Sequence, residues 1–122
     1  MTTSRLQRLL DQLLPEDLSG VTFVRDYLQL EFNPPPRINV YSACAVVLEG
    51  VRTVFGQHAF ANAVIGQIGK QVTRVSEDPD DVLRITFGDG SIIEIPFGAG
   101  TFEGPEAITF WGKDDHWASW PS

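Results

Sequence analysis

One alternating pattern occurs twice in this chain. Leu28, Leu30 and Phe32 recur as Leu83, Ile85 and Phe87, and Ile38 and Val40 recur as Ile93 and Ile95, all at an offset of 55. Successive side chains on a strand point to opposite faces, so Leu28-Gln29-Leu30-Glu31-Phe32 and Leu83-Arg84-Ile85-Thr86-Phe87 each read as a half-buried strand. Phe55 falls on Phe110 at the same offset. Upstream, at an offset of 51, Val21, Thr22 and Val24 fall on Val72, Thr73 and Val75, which assigns a four-residue difference to the acidic turn around Pro79. Each copy follows a candidate amphipathic helix. The unit reads as one helix and four strands, used twice: pseudo-repeats at about 4–55 and 58–111, then a C-terminal strand at 116–120, in a single domain over 1–122.

The copies differ at their hairpin turns. Asp89-Gly90 has the composition of a type I′ turn, which needs positive φ. Its counterpart is Pro34-Pro35, which cannot make that turn and predicts a longer, stiffer connection. Ser76 to Asp81 reads as a polar turn.

The first helix is the clearer one. Leu6, Leu9, Leu10, Leu13 and Leu14 share one helical stripe, Ser4 and Gln7 fit a capping box, and Pro15 ends the element. The second is expected from about His58 to Ile68, with Phe60, Val64, Ile65 and Ile68 on one face and Gly66 and Gly69 weakening its end. The expected fold class is therefore α+β: a mostly antiparallel sheet of eight or so strands, curled or in two layers, with two packed helices from a duplicated αββββ unit.

Charge removes several functions. Nine Lys+Arg against 16 Asp+Glu give a formal net charge of −7, the wrong sign for nucleic-acid backbones and for anionic membrane surfaces. Gln7, Arg8, Asp11 and Gln12 interrupt the N-terminal leucines, leaving no signal-peptide core and a cytoplasmic expectation. The single cysteine, Cys44, cannot form an internal disulfide, and its apolar run Ala43 to Leu48 makes it a buried hydrophobe. No motif pairs Cys44 with His58 for nucleophilic catalysis, and no catalytic or cofactor motif occurs. Asp114, Asp115 and His116, with Glu103 and Glu106 nearby, resemble metal ligands but lack the spacing of a known site. They read as a solvated turn, so no metal or cofactor is expected.

What remains are surfaces. Glu77, Asp78, Asp80 and Asp81 place four carboxylates in one short turn, a contact patch for a basic partner. Trp111, Trp117 and Trp120 cluster near the C-terminus, and tryptophan is enriched at binding hot spots. Trp117 and Trp120 stand three apart, so a strand would point them to opposite faces. Pro34-Pro35-Pro36 reads as a rigid turn.

Two segments resemble small bacterial proteins of the kind found among immunity proteins of toxin systems. They are the run Ile68-Gly69-Lys70-Gln71-Val72-Thr73-Arg74-Val75 and the strand-Asp-Gly-Ser-strand module from Leu83 to Ile95, followed by Gly104-Pro105-Glu106. The likeness covers about 65 to 111 and, weakly, 18 to 55, and carries over no catalytic residue. It implies a non-enzymatic cytoplasmic protein-binding domain, an immunity-like inhibitor of a basic protein partner. The rival expectations are a small-molecule-binding or enzymatic domain with a pocket between sheet and helices, and a homo-oligomeric structural protein.

Overall fold

The computed structural model describes residues 5–33, 35–113 and 117–120. Ten strands form two five-stranded antiparallel sheets. In chain order they are β1 (Gly20–Val24), β2 (Tyr27–Glu31), β3 (Arg37–Val40), β4 (Ala45–Leu48), β5 (Val51–Val54), β6 (Val72–Asp78), β7 (Val82–Phe87), β8 (Ile92–Pro96), β9 (Ile108–Trp111) and β10 (Trp117–Trp120). Sheet 1 runs β1-β2-β3-β9-β10 and sheet 2 runs β5-β4-β8-β7-β6. The alternation drives both. Leu28, Leu30, Ile38 and Phe110 of sheet 1 are fully buried with Leu83, Ile85, Phe87 and Ile93 of sheet 2, in one continuous core. Each such side chain stabilises by roughly 1.5–3 kcal/mol on full burial.

The expected α+β class with two packed helices does not hold: the molecule is mostly β. Its helices are α1 (Arg5–Leu10) and α2 (Phe60–Ile65), six residues each, with a 3-10 turn over Asp11–Leu13 after α1. The leucine stripe still docks, since Leu10 and Leu13 are fully buried and Leu14 packs on the core. The side chains of Leu6 and Leu9, and Ser4 of the expected capping box, lie outside the described residues. In α2 only Phe60 and Val64 turn inward. Ile65 and Ile68 stay 48% and 42% exposed, because the chain leaves the helix at Gly66 and turns at Gly69 with φ +93°. No helix among the described residues is long and apolar enough to cross a membrane.

Gln7 shows what α1 does instead of forming a layer. Its side-chain amide donates to the Val75 carbonyl (3.0 Å) and accepts from the Glu77 N–H (3.1 Å). β6 is an edge strand, and this amide occupies backbone groups that would otherwise invite another strand.

The two three-stranded meanders share a register. Leu28 pairs with Val40 and Leu30 with Ile38 in sheet 1; Leu83 pairs with Ile95 and Ile85 with Ile93 in sheet 2. Upstream, the expected alignment shifts. Val21 and Phe23 pair with Leu30 and Leu28, whereas Val75 and Glu77 pair with Ile85 and Leu83, so Val21 corresponds to Val75 rather than to Val72. The β6–β7 turn has three residues and the β1–β2 turn two, so only one residue of the expected four-residue difference lies there. Ser76, Glu77 and Asp78 consequently belong to β6 rather than to a turn.

The turns differ from expectation as well. Phe32 N–H bonds the Pro36 carbonyl and Phe87 N–H bonds the Ser91 carbonyl, each at 2.9 Å, so the proline loop is no longer than its counterpart. Gly90 has φ +89° but Asp89 is not left-handed, which excludes type I′ there. That pattern falls at Glu49-Gly50, both at positive φ (50° and 82°), between β4 and β5.

After each meander the chain crosses over. The β4–β5 hairpin, which follows the first meander, pairs with β8 of the second; the β9–β10 hairpin, which follows the second, pairs with β3 of the first. Phe110 therefore lies opposite Ile38, the place Val46 takes opposite Ile93, and Phe55 falls just beyond β5.

Candidate functional site

The outward face of sheet 1 carries rows fixed by strand register. One row is Glu31, Arg37, Trp111 and Trp117; the next is Gln29, Asn39, Thr109 and Ser119. These are the alternate positions left over once the apolar residues have turned inward. Trp111 and Trp117 are directly paired across strands and remain 47% and 61% exposed. The Arg37 guanidinium lies 5.5 Å from the Trp111 ring centre, within cation–π range. Arg37, Asn39, Thr109, Phe110, Trp111 and Trp117 together line a hollow of about 390 Å³.

Asn39 is the polar centre of this face. Its Nδ2 donates to Tyr41 Oη at 3.4 Å, and Tyr41 Oη shares a hydrogen bond with Thr109 Oγ1 at 3.3 Å. Asn39 Oδ1 is buried with no partner among the described residues. A buried polar atom left unpaired costs about 1–3 kcal/mol.

A second hollow, of about 640 Å³, opens beyond Tyr41. The β1–β2 turn contributes Asp26, and Tyr27 and Tyr41 stand beside it with ring centres 5.0 Å apart. The first crossing adds Ser42, and the second adds Phe102, Glu103 and Glu106. Phe55 closes another side and stacks edge-on against Phe60 at 5.4 Å. Ser42 is only 6% exposed, and its Oγ has no partner among the described residues. Both places where the chain passes between sheets thus meet at this hollow.

The acidic segment is built differently. Arg84 Nη1 meets Asp78 Oδ2 at 2.7 Å, Nη2 meets Asp80 Oδ2 at 2.9 Å, and Nε meets Glu94 Oε2 at 2.9 Å. Arg52 Nε binds the other Glu94 oxygen at 2.8 Å. The Arg84 hydrogen bond holds the Asp80 carboxyl below its usual range. Burial pushes the Glu94 carboxyl up, but hydrogen bonds from Arg52 and Arg84 outweigh it and the net direction is down. Two of the four expected contact carboxylates are therefore already neutralised within the molecule. Glu77 is half-buried beside Gln7, and Asp81 sits at φ +60° in the turn.

Of the three tryptophans, Trp120 packs against the core while Trp111 and Trp117 face out. Asp114, Asp115 and His116 lie outside the described residues. No cluster of metal-ligating side chains occurs among the described residues. Cys44 is fully buried, and burial pushes its thiol up to about 12, far from a reactive thiolate. His58 lies exposed before α2. Sequence reasoning pointed to the segment from Asn33 to Arg37 as one that differs between the copies, but did not single out Tyr27, Asn39, Tyr41 or Ser42. The available signal was the outward half of each alternation, where Gln29 and Asn39 stand at the positions of Arg84 and Glu94.

No family model, curated protein or solved structure matches this chain, so the site rests on its own geometry.

Proposed function

We propose that this chain is a non-catalytic protein-binding domain that recognises its partner through the outward face of sheet 1. The observation that carries the reading is the cross-strand pair of exposed tryptophans, Trp111 and Trp117, beside an open hollow and backed by a rigid sheet. Large rings held on strands give contact area at little entropic cost, and such residues dominate binding hot spots. A basic partner fits the net charge of −7. An immunity-like inhibitory role and a cytoplasmic location belong to the same proposal, as does an origin of the two meanders by duplication, which the shared register supports.

The test starts from a partner obtained by tagging the chain in its native host and purifying the complex. Trp111→Ala and Trp117→Ala should each weaken that complex by roughly 10-fold or more, as hot-spot residues do, with the melting temperature unchanged. Fluorotryptophan NMR should show the Trp111 and Trp117 signals moving on titration and the Trp120 signal holding. Binding that survives both substitutions, yet is lost when Asp78, Asp80 and Asp81 all become Asn, would return the site to the acidic segment. A solution mass of two chains, abolished by Trp117→Ala, would make the partner a second copy.

A further inference from the structure

We infer that the hollow where the two crossings meet is a binding site for an alkylammonium group, independent of the tryptophan face. Its walls supply three carboxylates, Asp26, Glu103 and Glu106, and four aromatic rings, Tyr27, Tyr41, Phe55 and Phe102, with no lysine or arginine among the lining residues. None of the three carboxylates takes part in the ion pairs formed among the described residues, all of which use Arg52, Lys70 or Arg84. This is the converse of sheet 2, where the outward acids have their cations built in.

Ser42 is a separate and independent indication. It belongs to the wall, is 6% exposed, and its Oγ lacks any partner among the described residues. A folded chain does not usually leave a buried hydroxyl unpaired, and a turn of the Ser42 side chain toward an N–H donor in the hollow would complete it. The carboxylates do not converge into a metal-ligating cluster. They surround a volume of about 640 Å³, which suits an extended organic cation rather than a bare ion. Aromatic faces attract such a cation through their quadrupoles and accept its methylene chain. A primary ammonium suits the site better than a quaternary one, because the acids and Ser42 all require hydrogen-bond donors.

The cation has two sources, a free aliphatic amine or a lysine side chain on another protein, and the probes separate them. Spermidine and a short lysine-containing peptide are titrated into the full chain and followed by amide NMR and calorimetry, with pentanol as a neutral control. Spermidine is expected to shift residues 26–27, 41–43 and 101–106 together, and Glu106→Gln and Tyr27→Ala to weaken it by about fivefold each. Glu77→Gln, which removes the same charge from β6 in sheet 2, should leave the affinity within about twofold, as a charge outside the hollow acts weakly through screening. Ser42→Ala tests the hydroxyl without altering charge and should weaken binding while the melting temperature holds or rises. Tighter binding of the peptide than of spermidine assigns the lysine source, and the reverse assigns the free amine. Shifts spread over the whole surface, equal losses in Glu77→Gln and Glu106→Gln, or equal binding of pentanol would each overturn the site. The result is separate from the tryptophan reading, since Trp117→Ala should not affect spermidine.

Discussion

The outward faces of the two sheets share a register and have opposite chemistry. At the centre of sheet 2, Arg84 stands opposite Glu94 and gathers Asp78 and Asp80; at the matching place in sheet 1, Gln29 stands opposite Asn39. Next to it sheet 1 has Trp111, exposed, where sheet 2 has Val47, half-buried. One face satisfies its own charges. The other leaves an amide oxygen unpaired and two rings in water. Equal scaffolds with unequal exteriors separate what the fold needs from what a ligand would use: the shared inner positions hold the sandwich, and the outer positions of sheet 1 are available for recognition.

The inner positions should prove equivalent and give the largest effects. Leu30→Ala and Ile85→Ala occupy matching fully buried places, and each should cost about 2–5 kcal/mol in denaturant unfolding. A tenfold difference in their costs would break the equivalence of the two meanders. The central outer positions should differ. Arg84→Ala leaves three carboxylates facing one another and should cost roughly 1–2 kcal/mol, allowing for their partial exposure, whereas Gln29→Ala should stay within about 0.5 kcal/mol.

Acid should act through sheet 2. Asp80 and Glu94 are held below their ordinary ranges in the folded chain. Their contribution is therefore complete above the unfolded carboxylate values, about 3.9–4.3, and is lost as pH falls through the folded ones. Asp89 behaves alike, its carboxyl lowered by hydrogen bonds from Lys70 and Ser91. Unfolding measured between neutral pH and pH 3 should show this loss, and Arg84→Ala should reduce it. The smallest effect is the sharpest test of the sheet 1 face: Trp117→Ala should change stability by no more than about 0.5 kcal/mol. A larger loss would make that ring structural.

The inner faces were legible because burial imposes period-two alternation on Leu28 to Phe32 and Leu83 to Phe87 whatever the topology. Segment class was less so for α2, since Phe60, Val64, Ile65 and Ile68 have helical spacing whether or not the helix continues past Gly66. The crossings were not legible at all. Phe110 pairs against Ile38 and not within its own half, and no local signal in a strand names its neighbour. The site suffered similarly: charge counting found Asp78 and Asp80 but not Arg84 threaded between them, because cross-strand partners are set by register. Asp26, Tyr41 and Glu106 are scattered along the sequence and meet only through those crossings.

The exchange of hairpins also bears on how the chain is made. Asn39 and Thr109, paired across β3 and β9, stand 70 positions apart. Until β9 and β10 have left the ribosome, β3 is the unpaired rim of an unfinished sheet, and such rims template pairing with other chains. Synthesis at roughly 5–20 residues per second leaves that rim open for several seconds. Over that interval the polar side chains of Arg37 and Asn39, on the outward side of β3, make the waiting strand a poorer seed for aggregation than an apolar one would be.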